Sequence, residues 1–167
     1  RAVSMVPSSQ TGSPSWLRVA TLGTVNTDPN CIFCKIIAGE VPATVVHDDD
    51  VSASFMDINP LTPGHLLVVP KEHHDSIATI PGSVLSHMML VGQWLAAALR
   101  ASPVRTDGIN LFLADGAAAG QEVFHSHLHV IPRWSGDGIR IQSKRQPAPT
   151  REALEQLAAS IRAAATD

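Results

Sequence analysis

The stretch HSHLHVI, residues 125–131, sets His125, His127 and His129 at every second position among Leu128, Val130 and Ile131. A helix would turn neighbouring imidazoles at that spacing to nearly opposite sides, whereas a strand places all three on one face. Val123, Phe124, Leu128, Val130 and Ile131 are strand formers, so the spacing predicts a strand over 123–132 that carries a row of imidazoles.

Working outward from that strand, INLFLA (109–114) predicts a second one, separated from it by the small-residue loop ADGAAAGQE. ATVVHD (43–48), VSASFMDI (51–58) and HLLVVP (65–70) predict three more, divided by turn signals at Asp48 to Asp50 and at Asn59 through Gly64. Ser83 to Arg100 predicts a long helix, with Ser83 as cap and Val84, Met88, Val91, Leu95 and Ala98 as its apolar stripe. CIFCKIIAGE (31–40) predicts a short helix stopped at Gly39, and Thr150 is expected to cap a final helix bearing Leu154, Leu157, Ala158 and Ile161. The sum is an α+β fold on one mainly antiparallel five-stranded sheet, with one long helix and short terminal helices. So small a sheet must manage its edges, and a two-fold dimer is one common solution.

The chain has 167 residues, 44% hydrophobic and 16% charged, which suits one domain with a core. Residues 1–30 are expected to be a loosely ordered extension with one apolar patch from Trp16 to Leu22, residues 31–135 the domain, and residues 136–167 a loop and helix packed on it. A net charge of −3 gives no basic field for nucleic acid, and no apolar run approaches a membrane span or a signal peptide, so the expected location is the cytoplasm.

A row of imidazoles can ligate a metal, handle anions and protons near neutral pH, or merely pack. His47 and His87 read as surface or satisfied core residues. The loop from Gly116 to Gln121 offers backbone N–H groups that small side chains do not block, so an anion site beside the row is one reading. There, one neutral ring could attack phosphorus while its neighbour stabilises charge. A catalytic zinc held by two or three of the row is another. Cys31 and Cys34 with later histidines could instead form a closed Cys₂His₂ zinc site, although a redox pair or two buried thiols would have the same spacing.

The blocks CIFCKIIAGEVP, FMDINPLTPGHLLVVPKEH, AAAGQEVF and HSHLHVIPR, in this order from Cys31 to Arg133, resemble the histidine triad (HIT) superfamily, whose signature alternates His with apolar residues. Within it the chain is similar to the bacterial Hint branch of nucleotide-binding proteins. That resemblance implies a homodimeric purine nucleotide hydrolase or transferase, phosphoramidase-like, working through a covalent nucleotidyl-histidine intermediate. His127 would be the nucleophile at the α-phosphorus, His129 would contact the phosphate and assist the leaving group, and His65 would complete the cluster. Gly120, Gln121 and Glu122 would belong to the phosphate loop, Asp57 would accept from the ribose hydroxyls, and Ile32, Phe33, Ile36, Phe55 and Ile58 would line the base pocket. Structural zinc would be held by Cys31, Cys34, His125 and His73, or by His74 in place of His73. No organic cofactor is implied.

Three positions depart from the family pattern. Ser126 stands where an apolar residue is expected, Ala114 where many relatives carry Asn, and Glu122 where some carry a hydroxyl. A dinucleoside polyphosphate hydrolase, a non-catalytic nucleotide-binding or interaction module, and a catalytic-zinc hydrolase are the competing readings.

Overall fold

A computed structural model describes residues 26–140 and 147–165; most of the N-terminal extension, with its Trp16 to Leu22 patch, lies outside the described residues. Two compact units divide between Asp137 and Gly138.

The first unit contains α1 (Ile32–Ile37), β1 (Val45–Asp48), β2 (Ser52–Met56), β3 (Leu66–Pro70), α2 (Gly82–Ala101), β4 (Gly108–Leu113) and β5 (Leu128–Arg133). The five strands form one sheet in the order β1-β2-β3-β5-β4. Every neighbouring pair is antiparallel, which gives the α+β class the sequence leads one to expect.

Strand alternation divides the core into two layers. Leu66, Val68, Leu128 and Val130 face α2 and pack on Met88, Val91, Leu95 and Leu99. Leu67, Val69 and Phe55 face the other way and pack on Phe33, Cys31 and Cys34 of the α1 segment. The chain ends α1 with paired bonds from Gly39 N–H to Ile36 O and from Glu40 N–H to Lys35 O, the glycine stop expected there.

Two expectations need correction. Helix α2 begins at Gly82 because the Pro81 carbonyl accepts from Leu85 N–H, so Ser83 lies inside the first turn and no side chain caps it. A missing cap costs about 1 kcal/mol, whereas each buried residue of the stripe contributes about 1.5–3 kcal/mol, so packing fixes this helix. The helix is also long and apolar enough to cross a membrane by length and composition. Its buried stripe against the sheet is the pattern of a core helix.

The second correction concerns β5, which starts at Leu128 and not at Val123. Ser126 N–H donates to His74 O at 2.6 Å, so this stretch is anchored to the segment after β3 before it enters the ladder. Ser126 is fully buried, and its Oγ finds no hydrogen-bond partner among the described residues.

Within the second unit, α3 (Arg151–Ala164) is capped by Thr150, whose side chain accepts from Ala153 N–H. Leu154, Leu157 and Ile161 on this helix are exposed.

Candidate functional site

A cavity of about 470 Å³ opens on the sheet face that carries α1. Register explains which strand residues reach it: Phe55 pairs with Leu67, Leu67 with His129, and His129 with Phe112, so one cross-strand row of four side chains paves the wall. Of the residues expected at a binding site, Ile32, Phe33 and Ile36 enter from α1, and Phe55, Asp57 and Ile58 from β2 and its following turn. Gly120 and Glu122 contribute from the loop after β4, and His65, His127 and His129 line the same cavity. Ile58 stands at the rim, 91% exposed.

Hydrogen bonds settle which imidazole nitrogens carry protons. His127 Nδ1 lies 2.8 Å from His125 O. A carbonyl only accepts, so Nδ1 donates and the neutral ring keeps its lone pair on Nε2. Leu61 N–H donates to His65 Nδ1 at 3.2 Å, which puts the His65 proton on Nε2. That nitrogen donates to His129 Nδ1 at 2.9 Å, and neutral His129 therefore carries its own proton on Nε2. The two rings of the row that face the cavity lie 4.7 Å apart at their centroids. One offers a lone pair and the other a donor.

The surroundings favour the neutral forms. Burial lowers the pKa of His127, with the His125 carbonyl opposing. Burial, reinforced by His127 and His65, pushes His129 down to about 4. Burial also lowers His65, against the pull of Asp57. Asp57 Oδ2 lies 3.4 Å from His65 Nδ1, and Oδ1 accepts from Asn59 N–H at 2.8 Å. A donor atom from each of Asp57, His65 and His129 comes close enough to its partners to hold a cation, although a metal there would have to part the hydrogen-bonded ring nitrogens.

Gln121 is the residue that the structure does not bring to the cavity. It is buried, its Oε1 accepts from Gly116 N–H at 2.7 Å, and its Nε2 donates to Asp75 O and Val123 O. The side chain braces the loop from within, while Gly120 and Glu122 on either side of it face the cavity. Gly116 and Gly120 bend the loop with φ of 83° and 90°, values that side-chain-bearing residues rarely adopt. Ala114, at the end of β4, is buried.

The first histidine of the row has other company. His125 Nδ1 lies 3.4 Å from Cys31 Sγ and 3.6 Å from Cys34 Sγ, and His73 Nδ1 lies 3.4 Å from Cys34 Sγ. All four donor atoms fall within 4.8 Å of one another. Tetrahedral zinc with N and S ligands needs nitrogen-to-sulfur edges of about 3.5 Å, so the donor set fits. His125 Nε2 donates to Pro70 O at 3.0 Å, an outer bond that turns the Nδ1 lone pair toward the thiols. Asn26 and His73 exchange two bonds, His73 N–H to Asn26 O and Asn26 Nδ2 to His73 O, and so hold the segment before α1 against this cluster. His74 stands outside it, 3.7 Å from the Glu72 carboxylate.

His47 and His87, read as satisfied core, are both buried and both donate from Nε2 to Asp49 Oδ2, at 2.8 and 2.9 Å. Sequence reasoning missed Leu61, Phe112 and Ile131 as cavity residues. Phe112 carried a usable signal, since alternation along β4 sets it on one face with Asn110 and Ala114.

The family model described as HIT domain matches residues 38–136. An uncharacterized HIT-like protein of Borreliella burgdorferi is 48% identical over 111 residues, covering 66% of this chain and 80% of the relative. Adenylylsulfatase HINT3 of Arabidopsis thaliana is 38% identical over 120 residues, covering 68% of this chain and 60% of that relative. A zinc-bound histidine triad family protein from Mycobacterium smegmatis superposes with a TM-score of 0.65 at 37% identity, covering 81% of this chain and 98% of that one.

Proposed function

The chain belongs to the HIT family, and on that premise we propose that it is a purine nucleotide hydrolase or transferase acting at the α-phosphate, with a nucleoside phosphoramidate or related nucleotide as substrate. The observation that carries this reading is the pair of opposed tautomers, a lone pair on His127 Nε2 beside a proton on His129 Nε2, at a cavity with apolar walls. The similarity to a relative named adenylylsulfatase supports an adenylyl-type substrate.

In this mechanism the base lies against Ile32, Phe33, Ile36, Phe55 and Ile58, and Asp57 accepts from the ribose. His127 Nε2 attacks phosphorus, forming a nitrogen–phosphorus bond while the bond to the leaving group breaks and that group takes up a proton from solvent. Water then attacks, the Nε2–phosphorus bond breaks, the proton lost by the water returns to solvent, and the nucleoside monophosphate is released. His129 and the loop N–H groups near Gly120 stabilise the phosphate oxygens, the kind of term worth about 10²–10³-fold per donor. Gln121 acts by holding that loop.

Zinc bound by Cys31, Cys34, His73 and His125 would supply structure, closing the α1 segment onto the end of β3 and the approach to β5. The same reading includes a two-fold homodimer in the cytoplasm. The free edge of β4 and the exposed Met89, Leu90 and Leu111 offer a surface for the second copy.

The test is rapid quench with a purine nucleoside phosphoramidate labelled at the α-phosphate. The wild type should yield a nucleotidyl-protein adduct that His127→Ala lacks, with turnover reduced by about 10³-fold or more. Undiminished turnover in the variant would exclude the covalent route, and tight nucleotide binding without turnover in the wild type would favour a binding module.

A further inference from the structure

The cavity wall carries two carboxylates, Asp57 and Glu122, and no Lys or Arg lines it among the described residues. Of its imidazoles, His65 and His129 are held toward their neutral forms by burial. The phosphate therefore relies on neutral N–H donors, and anything attached to it must share the space with acidic side chains. Asp57 is assigned to the ribose, and its Oδ1 already takes the Asn59 N–H. Glu122 differs: it is exposed, on the loop five residues before His127.

Glu122 lines the cavity on the same loop as Gly120. Because Gln121 is turned inward and fixed by Gly116, Asp75 and Val123, Gly120 and Glu122 are the loop residues that flank it on the cavity side. The base-pocket residues enter from α1 and β2, whereas Glu122 enters on the loop that shares Gly120 with the phosphate. On the nucleotidyl-transfer reading that loop is the phosphate side of the cavity, and Glu122 lines the cavity there.

Building on the nucleotidyl-transfer reading, we infer that Glu122 selects the leaving group by charge, favouring an amine that bears an additional cationic group over neutral amines and over polyphosphate. The phosphorus chemistry is unchanged by this choice: the phosphorus–nitrogen bond breaks, the amine leaves with a proton, and the ammonium or guanidinium farther along it pairs with the carboxylate. A leaving polyphosphate would meet Glu122 with no cationic side chain among the described lining residues to offset it. One unit charge at this range, partly screened by water, changes the preference by about tenfold.

The experiment uses the full chain and three purine nucleoside phosphoramidates of matched leaving-amine length, ending in an ammonium, a hydroxyl or a carboxylate. For the wild type, kcat/KM should fall in that order. In Glu122→Gln the ammonium-to-hydroxyl ratio should fall about tenfold, and Glu122→Lys should reverse the order of ammonium and carboxylate. A wild type indifferent to terminal charge, or a preference that survives both substitutions, overturns the inference. Calorimetric binding of the three non-hydrolysable phosphonate counterparts, with a methylene in place of the scissile nitrogen, must show the same charge order and the same response to Glu122→Gln. That readout decides the charge inference where turnover is absent, whereas absence of turnover for all three phosphoramidates counts against the nucleotidyl-transfer reading alone.

Discussion

His65 Nε2 and His129 Nδ1 are joined at 2.9 Å, and Leu61 N–H closes the far side of the His65 ring at 3.2 Å. This chain of donors runs from the backbone through two imidazoles to the cavity and fixes where the His129 proton sits. It does so only while both rings are neutral, because a second proton on either ring would place donor against donor.

Acid should therefore undo this arrangement. The His129 pKa is pushed from the ordinary value of 6.5 to about 4, first by burial. Between those values the unfolded chain binds more protons than the folded one, so the contribution of His129 to stability is complete above about 6.5 and lost as pH falls toward 4. Allowing for partial exposure of the ring, the loss is about 1–2 kcal/mol. Denaturant titrations of the wild type and His129→Gln at pH 7 and pH 5 should show the smaller pH dependence in the variant. Equal pH dependence would contradict the shift.

For the metal cluster, the expected outcome of prolonged chelation is loss of zinc together with a fall in melting temperature on the order of 10 °C. Turnover measured well below that temperature should persist, since neither His127 nor His129 is among the four donors. His73→Ala should lose zinc and His74→Ala should keep it, as measured by metal analysis of the purified variants. Zinc retained by His73→Ala would overturn the assignment of His73 as ligand.

The sequence shows the sheet and α2 clearly because each has a strict period, two or close to 3.6, repeated over enough residues to be unambiguous. The imidazole row was legible as one face, and Phe33 bears this out by meeting the rings of both His125 and His127 edge-on. Its division between thiols and cavity is implied by the family resemblance and not by the period, and in the structure a long-range bond from Ser126 to His74 anchors the stretch between the two parts. The inward turn of the Gln121 side chain escapes a sequence reading for a related reason. A loop bent at Gly116 and Gly120 has no period, so side-chain direction there follows from partners such as Asp75, 46 residues away. Asp49 likewise joins His47 and His87 only once the β1–β2 turn meets α2.

That last junction should be costly to break. Asp49 Oδ2 accepts from both imidazoles while Oδ1 accepts from Val51 and Ser52 N–H, each at 2.8 Å. Burial opposes ionisation, but these four bonds lower the Asp49 pKa on balance. Asp49→Ala removes the acceptor shared by buried donors, and equilibrium unfolding should register a loss of about 2–4 kcal/mol. His127 adduct formation at low temperature should be unaffected, because no part of this network lines the cavity.

Gln121 tests whether the phosphate loop is held from behind. Gln121→Ala leaves Gly116 N–H without its acceptor and frees the carbonyls of Asp75 and Val123, so amide hydrogen exchange over residues 115–122 should accelerate even with no nucleotide present. Gln121→Glu keeps the acceptor for Gly116 and loses both donors, and it should give an intermediate effect. A residue that bound phosphate directly would instead alter nucleotide affinity with exchange in the free protein unchanged. Acceleration on the order of tenfold in the free Gln121→Ala protein is the expected result, equivalent to about 1.4 kcal/mol of local stability.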